Sequence, residues 1–314
     1  MQLLYFFEKI RQPWLDQLML LFTEFGGEIL FMALAIGMYW CYSKRTGYYM
    51  LSVGFVGTIF NQFLKLVFRI SRPWIQDPEF TIVEAARADA TGYSFPSGHT
   101  QNASSTLLCP ALMTRHRGVK IALWAVYFLV AVSRMYLGVH TPLDVGVSLA
   151  VGLALVFALR PLFADGEPAP RRMYALLGVM LGLAALYTIY VETWRFPADI
   201  ELDNLEHGTK NAYTLLGAVA GMLLAYWLDQ RFVRFTVQGS LPAQIVKLAA
   251  GLALTIGLRV VLKRPLNALL NGAAAADAIR YFIMVVFAAG IWPMTFPWIC
   301  KKLPAKGTAS HIPA

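Results

Sequence analysis

Three short runs of this 314-residue chain hold the side chains suited to acid–base and anion chemistry. The first is Lys65-Leu-Val-Phe-Arg-Ile-Ser-Arg72-Pro73. The second is Tyr93-Ser-Phe-Pro96-Ser97-Gly98-His99-Thr100. The third is Ser133-Arg134-Met-Tyr-Leu-Gly-Val-His140-Thr-Pro-Leu-Asp144. Together they supply three cations, two imidazoles, one carboxylate and a Ser-Gly turn that reads as a helix N-terminus. Cations around a helix N-terminus make a site for a tetrahedral anion, because backbone N–H groups and the helix dipole add to the side-chain charge. Two histidines on opposite sides of that anion can act as nucleophile and general acid. Asp144 lies four residues after His140, so a helix starting between them lets the carboxylate reach the imidazole and fix its tautomer.

Taken one at a time, these residues have plainer explanations. Lys65, Arg72 and Arg134 suit basic anchors at a membrane surface. Pro73 reads as a helix stop. Pro-Ser-Gly-His reads as a turn and cap, and Thr141-Pro142-Leu143-Asp144 as an ordinary helix start. The plainer readings fail together only if the elements carrying the three runs bring them to one place.

Those elements are membrane spans. The composition is 58% hydrophobic and only 14% charged, against roughly a quarter charged in a soluble domain. With about 20 apolar residues needed per crossing, the expected spans are 20–41, 48–68, 98–114, 118–138, 142–163, 173–191, 211–229, 244–262 and 278–299, giving eight or nine. The third contains Gln101, Asn102, Ser104 and Ser105, so it is expected inside the bundle, with Gln101 and Asn102 on its polar side. Met1 to Phe22 places Leu4, Phe7, Ile10, Trp14, Leu15 and Leu18 at helical spacing among Glu8, Lys9, Arg11 and Asp16. That pattern predicts an amphipathic helix at the membrane surface, not a cleavable signal. The fold class is therefore all-α: a polytopic membrane helical bundle with an N-terminal amphipathic interfacial helix.

Alternation of spans puts the three runs on one side, together with the loops 192–210 and 263–277. The other side receives Lys44, Arg45, Arg115, Arg117, Lys120, Arg160, Arg171, Arg172, Arg231, Arg234, Lys247, Lys301, Lys302 and Lys306. Its only acids are Asp165, Glu167 and Asp229, and its short loops 42–47 and 114–120 are purely basic, which assigns them to the cytoplasm and turns the three runs outward, to periplasm, exterior or lumen. The net charge of +9 thereby finds its place in loops, and no nucleic-acid partner is expected. Residues 1–163 form a motif-bearing unit, the stretch 164–172 is the best boundary, and 173–299 adds further helices as part of one integrated domain. Gly217-Ala-Val-Ala-Gly221 suits close helix packing. Lys263-Arg264-Pro265 repeats the first run superficially but has no partner runs after it, so surface anchoring is expected there. Cys41, Cys109 and Cys300 read as small apolar fillers, and no His/Cys/Asp grouping is spaced for a metal.

The three runs in this order resemble the signature of the type 2 phosphatidic acid phosphatase superfamily, which includes lipid phosphate phosphatases, undecaprenyl pyrophosphate phosphatases, glucose-6-phosphatase and vanadium haloperoxidases. The resemblance spans Lys65 to Asp144, with every signature position filled, and the Phe-Thr-Glu-Phe-Gly-Gly-Glu wording near the N-terminus is similar to bacterial members. It implies a two-step, metal-free reaction with no cofactor. Lys65, Arg72, Arg134 and the backbone amides of Ser97 and Gly98 would hold the phosphoryl oxygens. His140 would attack phosphorus with Asp144 behind it, and His99 would protonate the leaving group and then activate water. The implied substrate is a lipid phosphate or pyrophosphate whose tail stays in the bilayer. The motif does not separate a hydrolase from a phosphotransferase, nor a lipid from a soluble sugar phosphate.

Overall fold

The computed structural model describes residues 1–304; Lys306 lies outside the described residues. Helix starts are written in the sequence. Ser43 caps α4 (Lys44–Phe68) by accepting from Thr46 N–H, and Ser240 caps α12 (Leu241–Leu269) through Ala243 N–H. Thr141 caps α9 (Pro142–Phe163), with proline at the first helical position, where its missing donor costs nothing.

The N-terminal amphipathic segment is split into α1 (Gln2–Lys9) and α2 (Pro13–Glu24). Pro13 explains the split, since the residue before a proline is driven to extended backbone and Gln12 is at φ −147°, ψ 146°. A bend of 47° at Phe25-Gly26-Gly27 separates α2 from α3 (Glu28–Gly37), which runs on as a π-helical turn to Tyr42. After α4 come a short α5 (Pro73–Gln76), then α6 (Gly98–Ala103), which continues through a π-helical turn, Ser104–Leu108, into α7 (Cys109–Met113). The remaining long helices are α8 (Arg117–Tyr136), α9, α10 (Pro170–Thr193), α11 (Leu202–Leu228), α12 and α13 (Ala275–Val286), the last extended through further turns to α14 (Phe296–Lys302).

Among the described residues, seven helices are long and apolar enough to cross a membrane, or eight counting the bent α2–α3 pair. The α6–α7 stretch is too short and polar to qualify alone. It sits inside the bundle, with Thr100, Gln101, Asn102, Ser104, Ser105 and Thr106 all buried. The outside is apolar instead: Val179, Leu186 and Ile189 on α10 and Leu254, Ile256, Val260 and Val261 on α12 are exposed. Burying polar groups and presenting aliphatic ones is the arrangement a hydrocarbon solvent favours.

At one end of the bundle Lys44 pairs with Asp229 at 2.6 Å and Arg45 donates to Ala164 O. At the other end Arg11 donates to Thr81 O and Tyr136 O, and the Glu201 N–H reaches the Tyr93 hydroxyl. The ends of α4, α8, α10 and α12 and the starts of α6, α9, α11 and α13 therefore share one face, as alternation predicts. The α11–α13 crossing is close enough that a Cβ on Gly217 would stand 1.9 Å from Ala278 O. Gly217 and Gly221 are thus a small-residue helix contact. Helix α12 runs past the expected end and takes in Lys263-Arg264-Pro265. Proline costs a helix one hydrogen bond, and the helix formers Leu266, Ala268 and Leu269 carry it on.

Candidate active site

Pro73 does not stop α4. The helix ends four residues earlier, where Arg69 takes a left-handed conformation (φ 50°, ψ 38°), and Pro73 opens α5 instead. The turn at Arg69 lets Arg72 fold back beneath the loop 87–97. Arg72 is held on four sides. Its Nε donates to Gly92 O at 3.0 Å, Nη2 to Thr91 O at 2.6 Å, and Nη1 to both Val139 O and His140 Nε2, each at 3.0 Å. Lys65 is buried and donates to Tyr93 O of the same loop.

His140 sits just before α9 and is 1% exposed. A guanidinium has only donors, so Nε2 must accept from Arg72 and the ring proton of a neutral imidazole belongs on Nδ1. Nδ1 points toward Asp144 Oδ2, 3.5 Å away. That is longer than a hydrogen bond, a separation common before a substrate tightens a site. Burial first, then the charges of Arg72, Arg134 and Lys65, push His140 well below the usual imidazole range.

The Asp144 carboxylate meets the plain helix-start reading. Its Oδ2 accepts from Thr141 N–H at 2.7 Å, completing a capping box, and from Ser94 Oγ at 2.6 Å. Its Oδ1 has no partner.

Arg134, in the last turn of α8, is 1% exposed. Its Nη1 donates to Thr23 Oγ1 at 2.7 Å, while Nε and Nη2 have no partner. Leaving charged donors buried and unpaired costs several kcal/mol. Such a group in a folded protein calls for an anion.

One expectation is corrected. The Ser97 N–H is already donated to Asp144 O at 3.2 Å, so it is not free for a ligand oxygen. Ser97 caps α6 through its Oγ, which accepts from Thr100, and the donors left at this turn are its own hydroxyl proton and the Gly98 N–H. His99, in the first turn of α6, is partly buried, and its backbone carbonyl abuts Gly26 of the α2–α3 bend.

The structure thus brings Lys65, Arg72, Arg134, His140 and Asp144 together with the Ser97–Gly98 turn at one end of the bundle. Gln101 is placed elsewhere: its amide packs against Gly57 of α4. Three contributors were not singled out from sequence. Ser94 binds Asp144. Asn61, one turn before Lys65 on the same face of α4, donates to Pro96 O at 3.3 Å. Thr23 holds Arg134 from the N-terminal segment. The four-residue spacing of Asn61 and Lys65 was the one available signal.

Family models match both halves of the chain, and curated relatives match part of it. The PAP2 superfamily model matches residues 45–168, and the model for the PAP2 superfamily phosphatase transmembrane extension matches 213–303. Phosphatidylglycerophosphatase B of Bacillus subtilis is 31% identical over 166 residues, 48% of this chain and 76% of the relative. Undecaprenyl-diphosphatase BcrC of the same organism is 31% identical over 147 residues, 46% of this chain and 72% of the relative. Lipid A 4'-phosphatase of Porphyromonas gingivalis is 32% identical over 130 residues, 39% of this chain and 55% of the relative. No solved structure matches. With family models over both halves and three enclosed cations around His140, the chain belongs to the PAP2 superfamily of membrane phosphatases.

Proposed function

We propose that this protein hydrolyses the phosphate or pyrophosphate group of a membrane lipid through a phosphohistidine on His140, on the outward side of the membrane. The observation that supports it most is Arg134, wholly enclosed with two nitrogens unpartnered. A dianionic phosphoryl group would fill that vacancy in the hydrogen bonding. The names of the three relatives, all phosphatases of lipids, favour a lipid substrate. The position of the site at one end of the bundle suits a headgroup whose tail remains among the helices' apolar outer faces.

In the first step Arg72 passes the N–H now on His140 Nε2 to a phosphoryl oxygen, which frees the Nε2 lone pair to attack phosphorus. The Nδ1 proton stays on the ring, and Asp144 balances the positive charge as the P–N bond forms. Lys65, Arg72, Arg134, the Ser97 hydroxyl and Gly98 N–H hold the equatorial oxygens, where transition-state charge collects. The P–O bond to the leaving group breaks as His99 gives it a proton. Neutral His99 then takes a proton from water, the hydroxide attacks phosphorus, and the P–N bond breaks to restore His140.

The decisive experiment is a phosphate-release panel with purified protein over lipid and sugar phosphates, with and without a chelator. Lipid phosphates are expected to turn over in the chelator's presence, and His140→Ala to abolish release while keeping the fold. Near-normal release by that variant overturns the assignment of His140, and chelator-sensitive release overturns the metal-independent reaction.

A further inference from the structure

A cavity of about 550 Å³ lies away from His140, where the start of α11, the end of α12 and the start of α13 meet on the active-site face. That volume suits a small organic group. Three cations line it, one from each helix: Lys210, Lys263 and Arg280. Arg280 is 4% exposed, donates to Asp277, and carries an Nε with no partner. Lys210 and Lys263 form no ion pair among the described residues, although Glu206 also lines the cavity. Asp277 is matched by Arg280, so the cations retain an excess, and one of them holds a buried donor in reserve. Leu202 and Leu205 add an apolar edge to the rim.

Lys263 belongs to the run that repeats Lys-Arg-Pro without companion motifs. In three dimensions its companions are Lys210 and Arg280, supplied by other helices instead of by neighbouring sequence.

We infer that this cavity is a second phosphate-binding site, which takes the headgroup phosphate of an amphiphile through Lys210, Lys263 and Arg280. Helix α11 is the wall between it and the catalytic centre. Glu206 and Lys210 face the cavity. His207 approaches Thr91 Oγ1 at 3.4 Å, and Gly208 packs on Leu66 one residue beyond Lys65. Thr91 is the residue whose carbonyl receives Arg72.

Equilibrium dialysis of radiolabelled dihexanoyl phosphatidic acid against the full-length His140→Ala protein in detergent tests this, with Lys210→Gln/Lys263→Gln added in the same background. Both lysines are exposed, so the substitutions leave the fold intact. The added pair is expected to remove one bound equivalent and to spare the equivalent that vanadate displaces from the catalytic centre. Equal binding with and without the pair overturns the proposal. Loss of the vanadate-displaceable equivalent alone would place the two lysines at the catalytic centre and likewise overturns the proposal. In a parallel arm with radiolabelled inorganic phosphate, affinity for the lysine-dependent equivalent is expected to be at least about tenfold weaker, from the lost apolar contact. Equal affinity for free phosphate overturns the amphiphile as occupant.

Discussion

Arg72 and His140 are joined by a 3.0 Å contact from Nη1 to Nε2, and the same guanidinium is pinned by three backbone carbonyls. A cation so placed sets which imidazole nitrogen carries the lone pair before any substrate arrives. Lysine would keep the charge but cannot span four acceptors in a fixed plane. Arg72→Lys is therefore expected to lower kcat for phosphate release by about 10²–10³-fold. A variant retaining more than half of the activity would show that charge alone suffices.

Ser94 and Asp144 form a 2.6 Å hydrogen bond that the capping box does not need. Ser94→Ala leaves Thr141 N–H on Oδ2 and frees the carboxylate to turn from the ring. A fall in kcat of roughly 10- to 150-fold, with KM unchanged, is the expected outcome in steady-state kinetics, since a charge-assisted hydrogen bond contributes about 1.5–3 kcal/mol. An effect confined to KM would place Ser94 in substrate binding instead.

His140 links folding to pH. Burial and three cations hold its folded pKa below the unfolded value, which is about 6.5. Protonation therefore favours the unfolded chain: the stabilising contribution is complete above that pH and declines as pH falls beneath it. Thermal unfolding in detergent should show a Tm falling on acidification below about 6.5, and His140→Gln should flatten that dependence. An unchanged slope in the variant would assign the acid sensitivity to other groups.

Thr23 and Gly26 bring the N-terminal segment into the site. Thr23→Val removes the 2.7 Å anchor of Arg134 and is expected to lower kcat/KM about tenfold, with Thr23→Ser restoring it. A Cβ at position 26 would stand 2.4 Å from His99 O, so Gly26→Ala must shift the first turn of α6. Reduced release with unaltered expression is expected; full activity would mean that the bend yields without moving His99.

The cluster itself was legible from sequence because its parts are chemically expensive. Cations and imidazoles at the ends of apolar runs cost too much to be incidental, and alternation of spans brings them to one face. Ser94, Asn61 and Thr23 were not legible for the opposite reason. A serine, an asparagine and a threonine cost little anywhere, and their roles depend on atoms 50, 35 and 111 residues away. The left-handed turn at Arg69, not Pro73, ends α4, and nothing in the local sequence marks it. The run at Lys263 looked like an orphan because its partners sit on α11 and α13. Hydropathy found the spans where lipid is the neighbour, and was weakest at α6–α7, whose neighbours are other helices.

The hydrogen bond from Arg134 to Thr23 also constrains how the molecule comes into being. Residues 13–27 are synthesised before any of the helices that carry Lys65, His99, Arg134 or His140. They must wait in the bilayer until α8 has been inserted, then close over its last turn. The cluster around Arg134 is thus closed by an early segment meeting a later one. An insertion intermediate truncated before α8 would hold Thr23 and His99 with no arginine between them.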